Sequence, residues 1–98
     1  MEQGQDPVVQ GFRERIVDED RRILEAINRR GELVAALHAY KVARGYPLVD
    51  RSRESSLLDE LERANRGPLS SEGLREIYGV LIPVLTREAA SGPKTTAS

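Results

Sequence analysis

The stretch of sequence that decides the fold is residues 9–44, VQGFRERIVDEDRRILEAINRRGELVAALHAYKVAR. Its charged and aliphatic residues recur every three or four positions, which is typical of an amphipathic helix. The stretch contains no proline, and Gly45 and Pro47 follow it where a helix would end. The sequence therefore predicts one helix from about residue 9 to residue 44, about 50 Å long at 1.5 Å per residue.

The apolar face of this helix is interrupted by two cations, Arg30 and Lys41. Steps of four, three, four, three and four residues place them on one face with Ile23, Ile27, Val34 and Leu37. Burying an unpaired charge costs several kcal/mol, so this face predicts a pocket for an anion. In the alternative interpretation both side chains extend past the apolar face into solvent, or pair with a carboxylate of another helix.

Two shorter helices are predicted after the first. Asp50 is a favourable N-cap residue for a second helix that ends near Ala64. Ser70 can cap a third helix, in which Leu69 and Leu74 form a hydrophobic staple. The inner face of the third helix should carry Leu74, Ile77, Leu81 and Leu85. Pro83 interrupts that helix, and we expect a kink around residues 79–83.

The predicted fold is therefore all-α, a three-helix protomer with one very long first helix. We expect a flexible N-terminus at residues 1–8, one helical domain at residues 9–90 and a disordered tail at residues 91–98. The first helix carries more apolar surface than two short helices can cover. An intertwined homodimer would bury the remainder.

Composition argues against several classes of function. The 15 basic and 16 acidic residues are interspersed and give a net charge of −1, so no basic surface for nucleic acid is expected. No apolar run approaches the ~18 residues of a membrane span, and the N-terminus does not resemble a signal peptide, so we expect a cytoplasmic protein. With no cysteine and one histidine, neither disulfides nor a metal site is expected. His38 is interpreted as a surface or interface residue.

The second helix also directs charges toward its apolar face. Glu54 shares that face with Leu57, Leu58 and Leu61, and Arg53 shares a face with Leu57. With Arg30 and Lys41 they make a set of three cations and one carboxylate, which suits a small dianionic ligand that bears a hydroxyl. The alternative is a solvated first turn.

Five pieces of sequence, in this order and spacing, resemble the all-helical chorismate mutases of the AroQ class. They are Arg13 in FRERI (residues 12–16), Asp20, RRGEL (residues 29–33), Lys41 and DRSRE (residues 50–54). The resemblance covers about residues 9–64 and continues more weakly through the third helix.

The resemblance implies an enzyme that isomerises chorismate to prephenate on the route to phenylalanine and tyrosine, with no cofactor. Arg30 and Arg53 would hold the substrate carboxylates together with Arg13 of the partner subunit. The ether oxygen would be bound by Lys41, and the ring hydroxyl by Glu54 with help from the Asp50 region.

Helix geometry also indicates, independently of the resemblance, which chain can supply Arg13 to the pocket. Arg13 precedes Arg30 by 17 residues, about 25 Å along a helix, so it cannot reach a pocket at Arg30 in its own chain. An antiparallel neighbour could supply it, which predicts two shared sites per dimer.

The third helix departs from the family pattern, which has a serine and, four residues later, a glutamine that binds the ether oxygen. Thr86, Arg87 and Glu88 are the polar candidates there, and our hypothesis is that a protonated Glu88 replaces the glutamine. Activity would then fall as pH rises. The alternatives are an exposed carboxylate at a fraying helix end, or a partner enzyme of the aromatic pathway that completes the site.

Two further functions stay open at this point. An isochorismate pyruvate lyase would share the fold, the arginines and the lysine, although Asp50, Arg53 and Glu54 favour the mutase because they keep the hydroxyl-binding acid in place. A catalytically silent helical dimer that regulates or docks onto an aromatic-pathway enzyme is the other alternative.

Overall fold

The protein is built from three α-helices, and no strand occurs in residues 2–92, the part that the computed structural model describes. They are α1 (Pro7–Arg44), α2 (Arg51–Ala64) and α3 (Ser71–Ala90), preceded by a short 3-10 helix at Gln3–Gln5. This confirms the predicted all-α protomer with a long first helix. Residues 93–98 of the expected tail lie outside the described residues. No helix in the described part of the chain is long and apolar enough to cross a membrane.

The helix α1 begins two residues earlier than expected, at Pro7 rather than at about Val9. Asp6 caps it, since its Oδ1 accepts the N–H of Val8 at 2.9 Å. Proline is favoured at the first helical position because that residue has no N–H to satisfy. The boundary expected between residues 8 and 9 therefore falls inside α1. The pair Asp6-Pro7 is the sequence signal for the observed start of the helix.

The contacts of the chain divide between Arg30 and Gly31, within α1, into two compact units. In the first unit, none of the described residues is buried. Phe12, Ile16 and Ile23 are 56%, 58% and 55% exposed. The charged side chains form ion pairs along the helix surface, such as Arg21 with Asp18 at 3.1 Å. This unit thus presents a largely uncovered set of apolar side chains.

In the second unit, α1 ends in the way that the sequence predicts. Gly45 has a φ of 68°, in the left-handed region. The N–H of Tyr46 donates to the carbonyl of Lys41 at 2.9 Å, and that of Gly45 to Val42 at 3.2 Å. These two bonds form a Schellman motif, which fixes the backbone of the last turn.

The helices α2 and α3 also begin where the sequence predicts. Asp50 accepts the N–H of Arg53 at 2.9 Å, and Ser70 accepts the N–H of Gly73 at 2.9 Å. Between the helices, the side chain of Asn65 accepts the N–H of Gly67 and donates to the carbonyl of Leu69. The side chains that open these helices are therefore those predicted as caps.

The core of the second unit centres on Leu74 and Leu85, which are 6% and 8% exposed and are the buried side chains among the described residues. A Cβ placed on Gly31 would lie 3.4 Å from Cδ2 of Leu85, so α3 approaches α1 closely there. The prediction for Ile77 was wrong, because Ile77 is 53% exposed. Tyr78 is half-buried instead. Positions 74, 78 and 85 lie along one face of α3, and position 77 lies about a quarter of a turn away from that face.

Arg75 connects α3 to α2. Its Nη2 donates to Oδ1 of Asp59 at 3.1 Å, and its Nε donates to Glu62. Further along, α3 continues through Pro83 as one helix, so the expected interruption does not occur. The kink around residues 79–83 stays a prediction.

Candidate functional site

The second unit contains a cavity of about 130 Å³ at the end of α1. All three helices contribute to it, and so does the connection between α1 and α2. Its lining residues are Val34, Leu37, His38 and Lys41 of α1, Leu48 and Asp50 of the connection, Arg53 and Glu54 of α2, and Thr86 and Ala89 of α3.

Lys41 enters this cavity from the last turn of α1. Val34, His38 and Lys41 lie at steps of four and three residues, so they share one helical face. The three side chains are half-buried, whereas the neighbouring residues 39, 40 and 42–44 are exposed. Because the carbonyl of Lys41 accepts the capping bond from Tyr46, the backbone that carries the ammonium group is held in place.

The first turn of α2 supplies the other charges. The bond from the N–H of Arg53 to Asp50 fixes the start of the helix. Glu54 follows with a half-buried side chain, and its N–H donates to the carbonyl of Asp50 at 3.2 Å. A carboxylate in the first turn interacts favourably with the helix dipole, so glutamate suits this end of α2.

The cations of the cavity have no carboxylate partner within the described residues. The ion pairs found there join Arg21 to Asp18, Arg22 to Glu19, Arg29 to Glu25, and Arg75 to Asp59 and Glu62. Lys41 and Arg53 take part in none of them. Two unpaired cations on one small cavity, with Asp50 and Glu54 beside them, can bind a small anion and accept a hydrogen bond from a hydroxyl. Across residues 2–92, no group of three or more histidine, aspartate or glutamate side chains is placed to hold a metal ion.

Four of the seven residues predicted for the site line this cavity, namely Lys41, Asp50, Arg53 and Glu54. Arg13 and Arg30 belong to the first unit, where Arg13 is exposed and Arg30 is half-buried. Their roles stay predictions.

The seventh predicted residue, Glu88, is half-buried on α3 and is not among the residues that line the cavity. The side chains that α3 supplies are Thr86 and Ala89. The role assigned to Glu88 stays a prediction.

His38 was missed by the analysis of the sequence. It was interpreted as a surface or interface residue, whereas the structure has it half-buried in the lining of the cavity beside Lys41. The signal was present in the sequence, since residue 38 lies eight positions after Arg30 and three before Lys41, on the face already assigned to the site. The contribution of Ala89 carried no such signal, because an alanine has no chemistry to mark it.

Two larger cavities adjoin this one. A groove of about 460 Å³ lies between α2 and α3 and shares Glu54 and Thr86 with it. A second cavity of about 450 Å³ shares His38 and Ala89, and its other lining residues are Ala35, Ala39, Val42, Ala43, Ala90 and Gly92. His38 and Ala89 therefore form the wall between a charged cavity and an apolar one.

Cations without a carboxylate partner among the described residues, together with carboxylates around one small cavity of an all-helical protein, define a candidate site for a small organic anion. The family model for chorismate mutase type II matches residues 12–89. The chain belongs to this family, which is a family of isomerases. Family membership confirms the resemblance inferred from the sequence and implies chorismate as the substrate. No curated protein sequence matches the chain at a significant level.

Proposed function

We propose that the protein converts chorismate to prephenate on the route to phenylalanine and tyrosine. The observation that carries the proposal is one cavity, in a chain of this family, lined by two carboxylates and by two cations that have no ion-pair partner among the described residues. Chorismate has two carboxylates, a ring hydroxyl and an ether oxygen, so each charged side chain has a chemical group to bind.

The rearrangement breaks one carbon–oxygen bond and forms one carbon–carbon bond within the substrate, and no proton or other group is transferred. One requirement is therefore conformational. Arginines that hold both carboxylates keep the enolpyruvyl arm over the ring, in the geometry in which the new bond can form. We assign this role to Arg53, Arg30 and Arg13 of the partner subunit, and the binding of the ring hydroxyl to Glu54 with Asp50.

The second requirement is electrostatic. As the carbon–oxygen bond breaks, negative charge grows on the ether oxygen. A cation held in place by a capped helix end stabilises that charge more in the transition state than in the ground state. We assign this role to Lys41.

A homodimer is part of the proposal. The exposed Phe12, Ile16 and Ile23 give the first unit an apolar surface that a second copy could cover. The cavity of about 130 Å³ in one protomer is also smaller than the roughly 300–1,000 Å³ of most ligand pockets. Both observations favour a site that the partner subunit completes with Arg13.

The experiment that tests the function follows the loss of chorismate absorbance with purified protein and identifies the product. We expect prephenate, and we expect Lys41→Ala to lower kcat by about 10²- to 10³-fold. KM should change less, because the charge that Lys41 stabilises develops mainly in the transition state. Arg44→Ala is the matched control, since it removes a neighbouring cation of α1 that does not line the cavity.

Two other results would contradict the proposed activity, and a third would contradict a site completed by the homodimer alone. Pyruvate released from isochorismate, without prephenate from chorismate, would identify a lyase. A folded dimer that neither converts chorismate nor is stabilised by it would identify a silent docking protein. Activity that appears only when an enzyme of the aromatic pathway is added would show that a partner completes the site.

A further inference from the structure

Among the described residues that line the charged cavity, His38 is the one titratable side chain to which the mechanism above gives no role. It is half-buried and lies one helical turn before Lys41 on the same face of α1. It also belongs to the wall shared with the neighbouring apolar cavity. Its backbone therefore directs the imidazole to the part of the cavity that Lys41 occupies.

We propose that the imidazole N–H of His38 donates a hydrogen bond to the ether oxygen of chorismate as the carbon–oxygen bond breaks. This inference rests on the proposed function. The ether oxygen gains enolate-like negative charge in the transition state, before it becomes the carbonyl oxygen of the pyruvyl side chain. It has two lone pairs, so a second donor beside Lys41 can stabilise the developing charge. His38 gives up no proton in this step, because the electrons move only within the substrate.

The other residues of the cavity leave this role to His38. The carboxylates of Asp50 and Glu54 only accept hydrogen bonds when ionised, and the fork of Arg53 suits a substrate carboxylate. Among the described residues, the charged groups that line the cavity with His38 are these three and Lys41, and α3 supplies Thr86 and Ala89. Thr86 also has a hydroxyl. Its side chain is exposed, however, and it also lines the neighbouring groove between α2 and α3.

The test compares His38→Leu with His38→Gln. Both replacements are close to histidine in size and suit a helix, but only glutamine retains an N–H donor. We expect His38→Leu to lower kcat by about 10- to 100-fold with little change in KM, because the hydrogen bond strengthens in the transition state. His38→Gln should recover most of that loss. Glu60→Leu and Glu60→Gln, at an exposed position of α2, are the matched control pair.

The possible outcomes separate this inference from the function on which it rests. Equal kcat values for His38→Leu and His38→Gln, with unchanged melting temperatures, would overturn the role of His38 alone. A wild-type protein that does not convert chorismate would overturn both. The pH dependence of activity is also measured for the wild type and for Glu88→Gln. A wild-type activity that falls as pH rises, and a flat profile in Glu88→Gln, would make Glu88 the second donor and also overturn the inference.

Discussion

At the scale of single residues, Arg53 and Lys41 line one cavity but should affect catalysis differently. A guanidinium holds a carboxylate through two parallel hydrogen bonds, whereas an ammonium is a point charge. We therefore expect Arg53→Lys to raise KM by about tenfold, the effect of one weakened charged hydrogen bond. The change in kcat should be smaller than the change caused by Lys41→Ala. Steady-state kinetics on chorismate measures both, with Arg63→Lys on the exposed side of α2 as control. An equal loss in kcat and kcat/KM would instead show that Arg53 acts only in the transition state.

The same residues show how far a sequence predicts a site of this kind. Local rules alone place Lys41, Arg53 and Glu54, because helix periodicity sets their faces and the Asp50 cap sets where α2 begins. The place of Asp50 in the site itself was implied by the resemblance to the family. The residues of α3 depend on how α3 packs against α1 at Gly31 and Leu85. That contact joins residues far apart in sequence, so no local pattern could show that Thr86 and Ala89, rather than Glu88, line the cavity.

At the scale of helices, Leu85 should matter more for stability than its neighbours on α3. It is 8% exposed and packs beside Gly31. We expect Leu85→Ala to lower the free energy of unfolding by about 2–5 kcal/mol, the range for large-to-small changes in a core. Val80→Ala, at a position that is 64% exposed, should cost much less. Chemical denaturation at one fixed protein concentration compares the two, since any dimer makes stability depend on concentration. Equal effects would show that a second copy of the chain covers Val80.

Arg75 supplies the polar link between α2 and α3. Its hydrogen bond to Glu62 is the main cause that raises the pKa of the Arg75 guanidinium above its usual value, and the pairing with Asp59 adds a smaller effect in the same direction. A raised pKa means that the stabilisation is fully present below the unfolded-state value and is lost only as pH rises above it, so it persists throughout the neutral range. The group is exposed, and we expect Arg75→Met to lower the melting temperature by only a few degrees, less so at high salt. Arg63→Met should leave the melting temperature unchanged. A loss that persists in high salt would point to packing of the side chain rather than to its charge.

The boundaries of the helices were more predictable than their packing. Gly45, Asp50 and Ser70 act on the backbone within a few residues of themselves, and the structure has each of them at the predicted helix end. The exposure of Ile77 instead depends on which line of α3 meets its neighbours. Since positions 77 and 78 are both compatible with the apolar spacing of α3, only the tertiary contact decides between them.

At the scale of the whole molecule, the proposal requires a dimer in which each site takes Arg13 from one chain and Lys41 from the other. The sequence suggested this arrangement because Arg13 and Arg30 are too far apart along one helix to reach the same pocket within one chain. Local periodicity gives distances within a helix, but it gives no information about how a second chain packs. The uncovered Phe12 and Ile16 give the same indication from the structure. A direct test must therefore show that the two residues act across chains.

Mixed dimers of two inactive variants provide this test. In a dimer of one Arg13→Ala chain and one Lys41→Ala chain, one site receives both defects and the other receives neither. Random mixing makes half of the dimers mixed, each with one intact site of two, so we expect about a quarter of wild-type activity after the variants are refolded together. Lys41→Ala mixed with Arg53→Ala is the control. Because Lys41 and Arg53 line the same cavity of one protomer, every site in that mixture keeps one defect and activity should not return. Recovery in both mixtures, or in neither, would mean that Arg13 is not shared between subunits.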